Sequence, residues 1–362
     1  MNMNKNNFKI APGDRIGILG GGQLGRMLAM TAARLGIKTI IFSEEQNCPA
    51  GSVADELVFG SFQDANLLDE FSRKCSVVTY EFENIPLSVV NYIATRSNLY
   101  PGRDILAMTQ DRLSEKSFLK SLGLPVADFT AVSYEGDIKT YLEKTGAQGL
   151  LKTRRQGYDG KGQVQVPDAK KAVECYYEIK EAPAVLEDIV PFEKEFSVIG
   201  VRTLDGTFYH YDISDNEHVD GVLKSSVVPT SMPNKLQKQA VSYTKLIAEK
   251  LNYVGVIVVE YFLTKDQKIL VNEIAPRVHN SGHWTIDACV FDQFEQHIRA
   301  ICGWPVGCFD RHSNAKMLNL LGDDVSEWHD LVSNPNTTLH IYGKSEMRAG
   351  RKMGHATTLE AI

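Results

Sequence analysis

Apolar residues first fall in short unbroken runs separated by glycines and polar helices, and later in longer runs with acidic ends. Arg15 to Leu19 reads RIGIL, a buried-strand pattern, and runs into Gly20-Gly21-Gly22-Gln23-Leu24-Gly25. Met27, Leu28, Met30 and Leu35 then recur at helical spacing. Lys38 to Phe42 and Val77 to Tyr80 are further strands, the second ending at Glu81-Phe82-Glu83-Asn84. This β-α-β rhythm predicts a parallel sheet flanked by helices over the first hundred residues. After Pro101-Gly102, Gln110 to Leu122 predicts a helix stopped by Gly123 and Pro125. Gly149 to Thr153 and Gln163 to Val166 predict a hairpin whose tip is rich in glycine. Asp168 to Ile179 reads as a helix capped by Asp168, and Val185-Leu186 starts a strand.

Strands dominate from Glu195: Phe196 to Val201, Phe208 to Tyr211, then, after a helix over Lys235 to Leu251, Val256 to Leu263 and Lys268 to Ile274. The last two face each other across Thr264-Lys265-Asp266-Gln267. A helix near Phe291 to Ile301 and strands near Leu318 and at Leu339 to Tyr342 complete the pattern. The fold class is mixed, α/β followed by α+β.

Composition narrows the setting. A chain of 362 residues exceeds one compact core, so two or three domains are expected. A net charge of −6 argues against a broad nucleic-acid surface. No stretch reaches the apolar length of a membrane span, and Met1 to Asn7 lacks a signal-peptide core, so a cytoplasmic protein is expected. The six cysteines are scattered, which disfavours zinc or a disulfide framework.

Three segments carry candidate chemistry. GGGQLG, between a strand and a helix, admits an anion at the helix N-terminus; a nicotinamide cofactor and a plain tight turn both fit it. Gly157-Tyr158-Asp159-Gly160-Lys161-Gly162-Gln163 follows Lys152-Thr153-Arg154-Arg155; its backbone N–H groups and cations suit phosphate oxygens, without the Walker spacing. Glu260 ends VIVVE and Glu273 ends ILVNE, two carboxylates on apolar strands beside Asn272. Burying them is costly unless they are paired or metal-bound, so Mg2+ beside ATP phosphates and a salt bridge to Arg277 or a lysine are the two readings. Ala275 to Trp284, APRVHNSGHW, gathers Arg277, His279, Asn280, Ser281 and His283 into one loop that reads as a substrate site.

In order, GGGQLG, YEFEN, TQDRLSEK, KTRRQGYDGKGQ, ENEH, VNEIAPRVHNSGH and YGKSEMRAGRKMGH span nearly the whole chain. This set resembles the ATP-grasp superfamily and, within it, the 5-(carboxyamino)imidazole ribonucleotide synthases of purine biosynthesis. The resemblance implies an ATP-grasp fold: a parallel-sheet pre-ATP-grasp domain over 1–106, an ATP-grasp domain over 107–290 with a lid at about 125–188, and a small C-terminal domain over 291–362. It implies an ATP-dependent ligase that joins bicarbonate to 5-aminoimidazole ribonucleotide through carboxyphosphate, with ATP and Mg2+, as a homodimer. Arg112 and Lys152 would meet ATP phosphates, and Gly157 to Gln163 would close over them. Glu187, Asp188, Ile189 and Val190 would hold adenine, Glu195 the ribose, and His218 would lie nearby. Glu260 and Glu273 would bind Mg2+ with Asn272 in support. Arg277 and His279 would hold bicarbonate and the moving phosphoryl group, and Tyr158 and Asp159 would face the imidazole. Gly22, Gln23, Leu24, Glu81, Glu83 and Asn280 would contact the ribonucleotide, with Lys344, Arg351 and Lys352 at its phosphate. The family continues through a further helix where this sequence stops, at Ile362, so a less enclosed substrate side or cover from a partner subunit is expected. The competing functions are another ATP-grasp ligase such as a formate-dependent glycinamide ribonucleotide transformylase, a nicotinamide oxidoreductase, and a nucleotide sensor without catalysis.

Overall fold

The computed structural model describes residues 9–157 and 160–362. Its amino-terminal unit contains β1 (Arg15–Leu19), α1 (Gln23–Arg34), β2 (Lys38–Ser43), β3 (Glu56–Phe59), α2 (Ala65–Lys74), β4 (Val77–Tyr80), α3 (Leu87–Ala94), β5 (Asn98–Leu99) and α4 (Arg103–Thr109). The strands form a parallel sheet in the order β3-β2-β1-β4-β5. Ile16, Ile18 and Leu19 of the central strand are fully buried, as expected for a sheet covered on both faces. The run after GGGQLG is helical as predicted, but Met30 points to solvent.

A second unit runs from α5 (Arg112–Ser121) through β6 (Phe129–Val132), α6 (Glu135–Thr145), β7 (Gly149–Thr153), β8 (Gln163–Val166) and α7 (Ala172–Glu178) to β9 (Ala184–Asp188). The helix predicted over Gln110 to Leu122 starts later than expected. Asp111 caps it by accepting the Leu113 and Ser114 N–H groups, while Gln110 terminates α4 and binds the Glu83 and Ile85 carbonyls. The sheet order is β6-β9-β7-β8, all antiparallel, and it packs its own core around Ile138, Leu142, Leu151 and Leu186.

The remaining strands are β10 (Phe192–Arg202), β11 (Phe208–His210), β12 (Ser214–Val219), β13 (Val222–Val228), β14 (Gly255–Thr264), β15 (Ile269–Ala275), β16 (Asn314–Leu321), β17 (Thr337–Ile341) and β18 (Lys352–Glu360). With them come α8 (Asn234–Lys250), α9 (Thr285–Ala288), α10 (Gln293–Ile301) and α11 (Trp328–Ser333). The strands build one sheet in the order β15-β14-β10-β12-β13-β16-β18-β17, with β11 beside β10. The last seventy residues therefore extend the large sheet through the β13–β16 pairing. Among the described residues no helix is long and apolar enough to cross a membrane. Five cysteines are buried, Cys308 is exposed, and all six are free.

Candidate active site

A cleft of about 580 Å³ opens where the three units meet. Its floor is the β14–β15 hairpin, in which Glu260 lies directly opposite Glu273. Tyr261 pairs with Val271, so Asn272 is an extra residue in β15. Successive strand residues normally face opposite sides; this bulge lets both Asn272 and Glu273 reach the cleft. Burial, reinforced by the neighbouring Glu273 charge, pushes the Glu260 carboxyl up to about 7. Two adjacent carboxylates and an amide supply hard oxygen donors whose repulsion a divalent cation relieves, so the residues fit Mg2+.

Arg112, the first residue of α5, reaches Glu273 at 3.2 Å and the Gly157 carbonyl at 3.4 Å. The salt-bridge reading of Glu273 is thus met in part, by an arginine other than Arg277. Lys152 on β7 lies 3.1 Å from Glu187, which also holds the buried Lys116 at 3.0 Å. Burial alone would push the Glu187 carboxyl up, but the two ammonium groups outweigh it and hold it below the usual range. Its Oε1 is buried without a partner. The Glu187–Val190 segment itself does not line the cleft, whose apolar wall is Leu150, Ile274 and the stacked pair Phe192 and Phe262, 4.9 Å apart.

Glu115, one turn into α5, accepts the Ile274 N–H at 2.6 Å beside the acidic pair. Burial, with the Glu273 charge second, pushes its carboxyl up from 4.5 to about 8. The folded protein therefore keeps a proton that the unfolded chain releases, and this group's contribution to stability falls as pH rises from about 4.5 to about 8. Glu115→Gln keeps the carbonyl acceptor and removes the titration. In metal-free protein the variant should show a shallower decline in Tm from about pH 5 to 8 than the parent; an equal decline would exclude a protonated Glu115.

The loop after β15 divides in two. Arg277, His279 and Asn280 line the cleft, whereas Ser281 and His283 are wholly buried behind it, which corrects the expectation of one continuous substrate loop. Arg277 forks onto Glu83, Nε to Oε2 and Nη2 to Oε1, the latter at 2.9 Å. Burial would lower the Arg277 pKa, but the Glu83 charge outweighs it and keeps the guanidinium charged. Burial, with the Arg277 and Lys352 charges, holds the His279 imidazole neutral, so its 3.5 Å approach to Glu260 is a polar contact and not an ion pair. Asn280 Oδ1 is buried with no partner. Glu195 binds His218 at 3.0 Å; burial would lower the His218 pKa, yet the Glu195 bond and nearby carboxylates raise it.

On the opposite wall, Glu81 accepts the N–H groups of Gly22 at 2.7 Å and Gly25 at 3.2 Å. A Cβ on Gly22 would stand 2.6 Å from Glu81 Oε1, so glycine is required there. The chain's own carboxylate therefore occupies the anion-ready start of α1, which disfavours a dinucleotide at that loop. Gln23, Leu24 and Lys352 line the cleft, while Lys344 and Arg351 do not; Arg351 donates to the Glu346 carbonyl. In the phosphate loop, Gly157, Gly160 and Gln163 line the cleft. Lys161 and Gly162 are exposed, and Tyr158 and Asp159 lie outside the described residues. Gly160 meets the β12–β13 turn backbone to backbone: a Cβ on Gly221 would lie 2.7 Å from Gly160 Cα.

The sequence reading missed Lys116, Glu115 and the Phe192–Phe262 wall. TQDRLSEK contained the first two, but nothing in it signals that its helix turns them inward. Elsewhere, among the described residues, Asp287, His340 and His355 bring ligand-type atoms within 4.8 Å of one another. The two imidazoles stack at 4.5 Å and 13°, however, so their in-plane lone pairs run parallel and do not converge on an ion.

Comparison with known proteins agrees with this geometry. Residues 14–110 match the ribonucleotide synthetase preATP-grasp domain, 117–294 the ATP-grasp domain, and 315–361 the phosphoribosylaminoimidazole carboxylase C-terminal domain. The chain is 44% identical over 360 residues to N5-carboxyaminoimidazole ribonucleotide synthase of Brucella melitensis, covering 99% of each. It is 38% identical to the Bacillus subtilis protein of that name, covering 97% of this chain and 93% of that one. A crystal structure of an N5-carboxyaminoimidazole ribonucleotide synthetase with ADP superposes with a TM-score of 0.94 at 38% identity, covering 98% of this chain and 94% of that one. The Aspergillus clavatus enzyme with ADP and 5-aminoimidazole ribonucleotide gives 0.89 at 28% identity, covering 96% and 94%.

Proposed function

The chain belongs to the N5-carboxyaminoimidazole ribonucleotide synthase family of purine biosynthesis and is an ATP-dependent ligase that carboxylates 5-aminoimidazole ribonucleotide; we propose that the carboxyl group comes from bicarbonate by way of carboxyphosphate. The observation that carries this reading is the continuity of one cleft, from the phosphate loop and acidic pair to Gln23, Leu24 and Lys352.

In this reading the adenine lies along Phe192, Phe262 and Leu150, the ribose meets Glu195, and Arg112 and Lys152 hold the phosphates. Glu260 and Glu273, supported by Asn272, would hold Mg2+, which neutralises phosphate charge when bound. A bicarbonate oxygen held by Arg277 attacks the γ-phosphorus, the bond to ADP breaks, and carboxyphosphate forms. The exocyclic amine of the ribonucleotide then bonds to the carboxyl carbon, the carbon–oxygen bond to phosphate breaks, and the departing phosphate takes the amine proton. His279 and Arg277 face the oxygens that carry developing charge, so their work is electrostatic and positional. Gln23 and Leu24 fix the ribonucleotide near the Glu83–Arg277 pair, and Lys352 meets its phosphate. Assembly as a homodimer completes the reading, and sedimentation velocity tests it.

The deciding assay is ADP release with ATP, Mg2+ and bicarbonate, with and without 5-aminoimidazole ribonucleotide. Release should require bicarbonate and rise with the ribonucleotide. Strict dependence on formate would sink the bicarbonate reading in favour of another ATP-grasp ligase.

A further inference from the structure

His279 faces the acidic pair through one ring nitrogen, and what stands behind the other is buried. Its Nδ1 lies 3.0 Å from the Ser281 hydroxyl and 3.4 Å from the Ser281 backbone N–H. Ser281 is fully buried, and its oxygen receives the Ser197 hydroxyl at 2.8 Å. Ser197, equally buried on β10, receives Asn216 Nδ2 from β12 at 3.1 Å. Asn216 Oδ1 accepts the Ser226 hydroxyl at 2.8 Å.

A serine hydroxyl has one proton to give. Ser197 also meets the Ser214 hydroxyl at 3.0 Å; with Ser214 donating there, the Ser197 proton goes to Ser281 and the Ser281 proton is left to His279 Nδ1. The Ser281 backbone N–H, which can only donate, points to the same nitrogen. An imidazole whose Nδ1 accepts carries its proton on Nε2, the nitrogen that faces Glu260 at 3.5 Å. The backbone of His279 is fixed separately. The fully buried Gln293 carboxamide accepts its N–H at 3.0 Å and donates to its carbonyl at 2.7 Å.

We propose that Asn216, Ser197 and Ser281 are positioning residues that lock His279 as the Nε2–H tautomer, so that His279 enters the reaction as a hydrogen-bond donor to a substrate oxyanion and not as the acceptor of the amine proton. The inference rests on the placement of His279 at the reacting oxygens given above. A donor fixed before the substrate arrives needs no reorganisation as charge develops on the oxygen.

The test is long-range 1H–15N correlation on the full chain with 15N-labelled histidine, the His279 signals being assigned by their loss in His279→Asn. The parent should show a pyridine-type Nδ1 and a pyrrole-type Nε2. Ser281→Ala should shift His279 toward the other tautomer and lower kcat about 10- to 100-fold at unchanged KM for ATP. Ser197→Ala, farther from the cleft, should move both readouts the same way to a smaller extent and serves if Ser281→Ala does not fold. An Nδ1–H signature in the parent, or unchanged His279 signals in both serine variants, overturns the relay. Full turnover by His279→Asn would instead overturn the placement of His279 on which the proposal rests.

Discussion

Glu273→Ala is expected to lower ATP turnover by about 10³-fold, because it removes about 4 kcal/mol of charge stabilisation from phosphoryl transfer. Glu273 stands opposite Glu260 and 3.2 Å from Arg112, so its loss would disable both the proposed cation site and the arginine that flanks it. The measurement is ADP release at saturating ATP across a Mg2+ titration. The variant should need more Mg2+ to reach its own plateau, and that plateau should itself stay low. Full turnover at ordinary Mg2+ would end the metal assignment.

Arg277→Ala carries the second large effect, a loss in kcat/KM of about 10²- to 10³-fold, comparable to removing a principal oxyanion donor. It should also cost about 2 kcal/mol of stability, since Glu83 is left half-buried without its partner, and less than a fully buried pair would, because solvent reaches this one. The two effects separate in a double variant. Arg277→Ala with Glu83→Gln removes the stranded charge, so stability should recover while activity stays low. Thermal melts and ADP release on the two single variants and the double would decide it. A double variant as unstable as Arg277→Ala alone would show that the ion pair does not set the stability of this junction.

Much of this site was legible as residue order. VIVVE and ILVNE flank a turn, and a regular hairpin register through it brings Glu260 opposite Asn272, one residue short of Glu273; the bulge that completes the pairing leaves no mark in the sequence. The glycines of GGGQLG announced close backbone approach, but the approaching group is Glu81 of the same chain, 59 residues from Gly22 and just past the end of β4. Long-range partners of that kind leave no local trace. The same holds for Glu83 and Arg277, which join the first unit to the end of β15. Other omissions were avoidable. Asp220-Gly221 between Val219 and Val222 is a hairpin signal, and both residues do adopt positive φ, 51° and 76°. Reading it would have exposed β12 and β13, and with them Asn216. By contrast, β18 has a glycine, a lysine and four other polar residues in nine positions and gains its place only by pairing with β16 on one side and β17 on the other.

The β13–β16 pairing makes the carboxyl-terminal strands part of the sheet that holds the acidic pair. Lys352 on β18 and Glu273 on β15 are thus mounted on one hydrogen-bonded frame, while the four-stranded sheet bearing Lys152 has a core of its own. In the proposed reading, the spacing between the acidic pair and the lysine assigned to the ribonucleotide phosphate is then a property of the scaffold, set when the chain folds and not renewed at each turnover. Lengthening or shortening the 302–313 connection should leave that spacing untouched, provided β16 still finds β13.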